Sequence, residues 1–131
     1  MITVYTAANS SSCRKALNWF RNHQIIVTEH KLYTIGITQK ELEQMLTLSE
    51  KGTEEFISTR SNIYKRMQID FNKLSFDEFT EIVCANPRLL RAPIIMSKYQ
   101  IQIGFNSDSI RSFIPKAERD QEMDEALAAM Y

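Results

Sequence analysis

Residues 2–32 read as a strand, a helix and a second strand, and this order constrains the fold more than any other feature of the chain. Ile2 and Val4 alternate with Thr3 and Tyr5 in the two-residue period of a half-buried strand. The polar run Ala7-Ala8-Asn9-Ser10-Ser11-Ser12 then supplies loop and helix-cap chemistry. A helix is predicted to start near Cys13. Its apolar face is Cys13, Ala16, Leu17 and Phe20, with Trp19 on the flank and Arg14, Lys15, Asn18 and Arg21 toward water. Ile25-Ile26-Val27 through Leu32 suggests the second strand. The connection is long enough for a crossover, so the two strands are expected to pair in parallel.

The pattern changes character between residues 36 and 90, where a helical block is expected. Two helix starts share one logic, a hydroxyl cap with a glutamate three residues on: Thr38 with Glu41, and Ser75 with Glu78. In each, the residue before the cap can staple to the fourth helical position, Ile37 to Leu42 and Leu74 to Phe79. Leu42, Met45 and Leu46 extend the first apolar face; Phe79, Ile82 and Val83 extend the second until Pro87 approaches. Gly52–Ile57 and Ser61–Met67 read as shorter helices. Beta structure returns after Pro93, with Ile94-Ile95-Met96 as a buried strand and Ile101, Ile103 and Phe105 alternating in a hairpin partner. Asn106 can cap a final helix with Ile110, Phe113 and Ile114 on its apolar side, ended by Pro115. The order β-α-β, helical block, β-β-α is that of an α/β, thioredoxin-like mixed sheet carrying an insertion.

With 131 residues, 44% of them apolar, and no Pro/Gly-rich linker, one compact domain over residues 1–115 is expected, followed by a tail at 116–131. Sixteen basic residues balance sixteen acidic ones, so no net field draws the molecule onto DNA or an anionic membrane. The balance is uneven: the tail has two basic side chains against five acidic, a net of −3, which leaves +3 on the body. The N-terminus lacks a basic leader followed by an apolar segment, and no run approaches the roughly 20 apolar residues of a membrane span, so a cytoplasmic protein is expected. Cys13 and Cys84 are too few and too far apart in sequence to suggest a disulfide framework or a metal centre, and neither a metal nor a cofactor is expected.

Five stretches in this order carry a resemblance: Ser12-Cys13-Arg14-Lys15-Ala16, Gly52-Thr53-Glu54-Glu55, Ile57-Ser58-Thr59-Arg60-Ser61, Pro87-Arg88-Leu89-Leu90-Arg91-Ala92-Pro93-Ile94-Ile95 and Gly104-Phe105-Asn106. Over residues 1–115 the chain resembles the Spx-type members of the ArsC family, relatives of the arsenate reductases. The resemblance implies a regulator of transcription under thiol or oxidative stress. It would bind the C-terminal domain of the RNA polymerase α subunit, with promoter DNA met only weakly or within the polymerase complex. It places Gly52, Thr53 and Glu54 at the docking surface. Read from the residues alone, Gly52 is expected to cap the helix that begins at Thr38, and with the resemblance to cap it and dock together. The resemblance also sets Arg60 near the cysteine site, where a guanidinium suits an anion or a thiolate, and makes Pro93 cis. An ordinary surface arginine is the plainer reading of Arg60. Arg60, Lys65 and Arg66 are candidate phosphate contacts, or simply a solvated helical face.

The chain departs from the family where chemistry matters most. Ser10 stands where a Cys-x-x-Cys pair would begin, and a serine hydroxyl neither forms a disulfide nor replaces a thiolate without a strong base. Ala92 stands where the reductases place a further arginine. No catalytic residue is therefore expected. Cys13 remains a redox candidate at a helix N-terminus beside Arg14 and Lys15, or else a buried core thiol. A monothiol redox protein or a degraded arsenate-reductase-like enzyme using Cys13 is the alternative function. The tail ending Ala128-Ala129-Met130-Tyr131 resembles, with departures, the endings read by the ClpXP protease, whose substrates include Spx-type proteins.

Overall fold

The computed structural model describes residues 2–50 and 52–114. The expected acidic tail, its ClpXP signal and Pro115 lie outside them. Strand β1 (Ile2–Thr6) leads through helix α1 (Ser11–Asn22) to strand β2 (Val27–Lys31), parallel to β1 with Tyr5 opposite His30. Helices α2 (Leu32–Ile35), α3 (Gln39–Leu48), α4 (Asn62–Met67) and α5 (Phe76–Ala85) follow, with 3-10 turns at Gly52–Phe56, Phe71–Lys73 and Pro87–Leu89. Strand β3 (Ile94–Met96) then runs antiparallel to β1, and β4 (Ile101–Ile103) pairs antiparallel with β3. The sheet order is β2-β1-β3-β4.

The two-residue strand period divides the core between the two faces of this sheet. Val4 and Ile95 pack with Ala16 and Phe20 of α1 and with Ile110 and Phe113 on one face. Tyr5, Ile94 and Met96 point the other way, into the helical block, against Leu42, Met45, Phe56, Phe79 and Leu90. Covering both faces explains why Ile94-Ile95-Met96 is a continuous apolar run rather than an alternating one.

Both expected capping boxes form. Thr38 Oγ1 accepts the Glu41 N–H at 3.1 Å while Glu41 Oε1 accepts the Thr38 N–H at 3.2 Å. Ser75 and Glu78 repeat the exchange at 3.2 Å in each direction.

Gly52–Phe56 is a 3-10 turn where a helix over Gly52–Ile57 is expected, Phe105 lies beyond the end of β4, and three further elements differ from the sequence reading. The second strand begins at Val27, because a left-handed Gln24 (φ 56°) follows the cap of α1 and the chain rejoins the sheet only after Ile26, which is 84% exposed. Leu32 is fully buried but starts α2 instead of ending β2; α2 has no side-chain N-cap to announce it. The final helix is a 3-10 turn, Ser109–Phe113. Asn106 Oδ1 does receive the Asp108 and Ser109 N–H groups, both at 2.9 Å. With three residues per turn, Ile110 and Phe113 fall on one line and are both buried.

Across the β1–β2 pair, the Tyr5 hydroxyl donates to Glu41 Oε2 at 3.0 Å and its ring lies 4.7 Å from that of His30. His30 Nε2 donates to the Gly36 carbonyl at 2.6 Å, and its Nδ1 stands 3.7 Å from Glu41 Oε2. Burial first, then the Glu41 charge and hydrogen bond, push the Tyr5 phenol well above its ordinary value. The folded chain therefore holds this proton after an unfolded tyrosine has lost it. Stability from this site is intact below about pH 10 and falls above it, by about 1.4 kcal/mol per pH unit for the one group. Tyr33, whose phenol is also raised by burial, adds in the same direction. Urea midpoints compared between pH 9 and pH 11 are expected to drop less in Tyr5→Phe than in the native chain; equal drops would mean that Tyr5 ionises freely in the folded state.

Candidate functional site

The loop after β1 and the first turn of α1 lie beside the carboxyl end of β2, as the parallel register with Thr6 opposite Lys31 requires. Asn9 is left-handed (φ 60°), and Ser10 in extended backbone serves as N-cap, its Oγ accepting the Cys13 N–H at 3.2 Å. Cys13 is only 3% exposed, and its Sγ accepts the Ala7 N–H at 3.4 Å. The thiol is thus both a member of the α1 core face and part of the wall of a cleft of about 560 Å³. Arg14, Lys31, Tyr33 and Arg88 line the same cleft, with Glu29 the one acidic side chain there among the described residues; Glu29 accepts the Thr6 hydroxyl at 3.0 Å. Arg88 lies 5.0 Å over the Tyr33 ring, and the Tyr33 hydroxyl donates to the Leu90 carbonyl at 3.1 Å.

A second hollow opens on the other side of Ser10, against Ser58, Arg91 and Ala92. The Ala92–Pro93 peptide is cis, and Pro93 is buried with its carbonyl accepting the Gly104 N–H at 2.8 Å. Arg91 is tied back to the 3-10 turn Gly52–Phe56: its N–H donates to the Phe56 carbonyl at 2.8 Å and its guanidinium to the Glu55 carbonyl at 3.4 Å. Arg60 is exposed and is not among the residues that line either hollow. Lys31, Tyr33 and Arg88 were not legible as site residues. Parallel pairing of the two strands could have placed Lys31, because it sets the ends of β1 and β2 side by side. Arg88 arrives from far along the chain and gave no local signal. Cys84 sits apart on α5, where burial, with a smaller contribution from Glu41, pushes its thiol above the ordinary value.

Gly52 lies on a different surface. Helix α3 ends in Ser49, in extended backbone, so the helix-cap reading of Gly52 does not hold; Gly52 (φ 76°) opens the following 3-10 turn. Ser49 Oγ accepts the Gly52 N–H at 3.0 Å and donates to Glu55 Oε2 at 2.9 Å, which fixes the turn. Among the described residues, a Cβ built on Gly52 meets no atom within 4 Å other than those of its chain neighbours. Beside it, Thr53, Glu54, Ile57, Tyr64, Asp70 and Phe71 line a groove of about 260 Å³. Lys65 and Arg66 are exposed on α4. Among the described residues no helix is long and apolar enough to cross a membrane.

The family model described as "ArsC family" matches residues 5–113. The chain is 43% identical over 126 residues to the global transcriptional regulator Spx of Streptococcus agalactiae, covering 96% of this chain and 92% of that one. It is equally similar to the Streptococcus pneumoniae protein of the same name, over 96% and 95% of the two chains, and 41% identical to that of Lactiplantibacillus plantarum, over 94% and 93%. Among solved structures, a putative ArsC family related protein from Bacteroides fragilis superposes with a TM-score of 0.77 at 19% identity, over 85% and 95% of the chains. A possible arsenate reductase from Streptococcus mutans gives 0.74 at 20%, over 82% and 92%. At such identities these two superpositions speak for the fold alone.

Proposed function

The chain belongs to the ArsC family, and from that premise we propose that it is an Spx-type transcriptional regulator that docks on the C-terminal domain of the RNA polymerase α subunit and has no intramolecular disulfide switch. The observation that carries this reading is Gly52, exposed at positive φ with open space where a side chain would stand. Among the described residues, bulk added there meets nothing beyond its chain neighbours and intrudes on whatever approaches from outside. Thr53 and Glu54 continue the same surface. Arg60, Lys65 and Arg66, all exposed, supply weak phosphate contacts to promoter DNA once polymerase has brought it close, a contribution that salt would reduce.

The absence of a switch rests on Ser10. Its hydroxyl caps α1 where a first cysteine would stand, and both cysteines of the chain, Cys13 and Cys84, are free. The same residues speak against arsenate reduction. Ser10 has neither histidine beside it, since His23 bonds Trp19 and His30 bonds Gly36, and Ala92 adds no second guanidinium to the hollow that Arg91 lines. Cys13, almost fully buried and held by the Ala7 amide, serves first as a core residue.

Calorimetric titration of the purified α C-terminal domain at low salt tests the docking. The native chain is expected to saturate, and Gly52→Arg to weaken binding at least about tenfold. Gly52→Ala serves as the control for backbone strain, expected to cost about 1 kcal/mol of stability through its positive φ and to bind nearly as well as the native chain. No binding by the native chain would remove the proposal.

A further inference from the structure

The groove beside Gly52 is continuous with the proposed docking surface, because Thr53 and Glu54 belong to both. Its apolar floor is Ile57, Tyr64 and Phe71, and the last two rings are stacked at 5.6 Å with only 20° between their planes. Glu54 and Asp70 stand on its rim, with the polar side chains of Thr59 and Asn72, and no lysine or arginine among the described residues lines it. Asp70 Oδ1 accepts the Asn72 N–H at 3.1 Å, which orients the carboxylate as the cap of the 3-10 turn Phe71–Lys73. Glu54 is exposed and has no hydrogen-bond or ion-pair partner among the described residues. Two carboxylates beside an aromatic floor form an electronegative slot. A guanidinium fits this chemistry best: it is planar, stacks on aromatic faces and spreads five donors toward carboxylate and amide oxygens.

We propose that this groove receives an arginine side chain of the protein that docks at Gly52, so that recognition combines close approach at the glycine with a cation held between Glu54 and Asp70. The inference rests on the docking reading above and extends it from a contact point to a specificity element. An ammonium group would satisfy the charges but has no planar fork of donors to span two carboxylates.

The test repeats the titration against the α C-terminal domain with Glu54→Gln/Asp70→Asn. Asparagine keeps the cap at position 70, so the fold is preserved. An equal change of net charge elsewhere, Asp77→Asn/Glu81→Gln on α5, is the control. The expected result is a loss of about tenfold in affinity and a shallower salt dependence for the groove variant, with the control variant within about twofold of the native chain. Native-like binding by the groove variant, alongside a loss in Gly52→Arg, would overturn the arginine slot and leave the docking proposal standing. Equal losses in both double variants would show a general field effect and would also overturn it. If the native chain does not bind, both proposals fall together. Should the double variant unfold, Glu54→Gln alone, which removes no hydrogen bond or ion pair among the described residues, carries the same comparison with an expected loss of about threefold.

Discussion

Phe56→Ala is expected to destabilise the fold by about 3–5 kcal/mol, the loss typical of truncating a fully buried phenylalanine. Phe56 has no exposed surface and sits in the larger core cluster with Leu42, Phe79, Leu89 and Leu90. A domain of this size is stable by only about 5–15 kcal/mol, so the loss is a large fraction of the whole and corresponds to a drop of about 10–20 °C in Tm. The residue matters for function through its place in the chain. It closes the 3-10 turn that Gly52 opens, and its carbonyl holds the Arg91 amide at 2.8 Å just before the cis peptide. Emptying this position removes the anchor that fixes the Gly52 surface to the core. Thermal unfolding followed by circular dichroism measures the first effect, and titration of the α C-terminal domain at 10 °C, where the variant is still folded, measures the second. A loss below about 1 kcal/mol would mean that the turn is held by the Ser49 hydrogen bonds rather than by its apolar residue.

The parts of this architecture that were legible in the sequence are those set by neighbours in the chain. The first strand, helix and second strand, and both capping boxes, depend on residues within four positions of one another, and each formed. The misread ends have a common cause. Leu32 and Ile26 carry the side chains of strand residues, but the left-handed turn at Gln24 and the start of α2 decide where pairing can occur. Ile110, Phe113 and Ile114 fit an α-helix and a 3-10 turn equally well, and tertiary packing chose the tighter form. The site divides along the same line. Ser10 and Cys13 could be placed at a helix start from their local setting, whereas the cleft that contains them is completed by Lys31, Tyr33 and Arg88 through sheet register and chain return. The groove at Gly52 likewise joins residue 54 to residue 70 through the packing of Tyr64 on Phe71.

Glu41 shows how much a local reading can leave out, and its removal carries the second large effect. From the sequence it is the N3 residue of a capping box, a role typically contributing about 1 kcal/mol. In the fold the same carboxylate also accepts the hydroxyl of Tyr5, a side chain 3% exposed from a strand 36 positions away, and stands against His30. Deleting it leaves a buried phenol without its acceptor, which costs about a further 1–3 kcal/mol. Glu41→Ala is therefore expected to lose about 2–4 kcal/mol, distinctly more than Glu78→Ala, which breaks the matching box on α5 where the glutamate is exposed and bonds only Ser75. Urea unfolding at pH 7 measures both. A double-mutant cycle with Tyr5→Phe separates the two roles: Phe at position 5 has no hydroxyl to leave stranded, so the double variant is expected to be more stable than the sum of the single losses implies, by about 1 kcal/mol. Strict additivity, or equal losses at Glu41 and Glu78, would reduce Glu41 to a helix cap and would mean that the Tyr5 hydroxyl is satisfied by water instead.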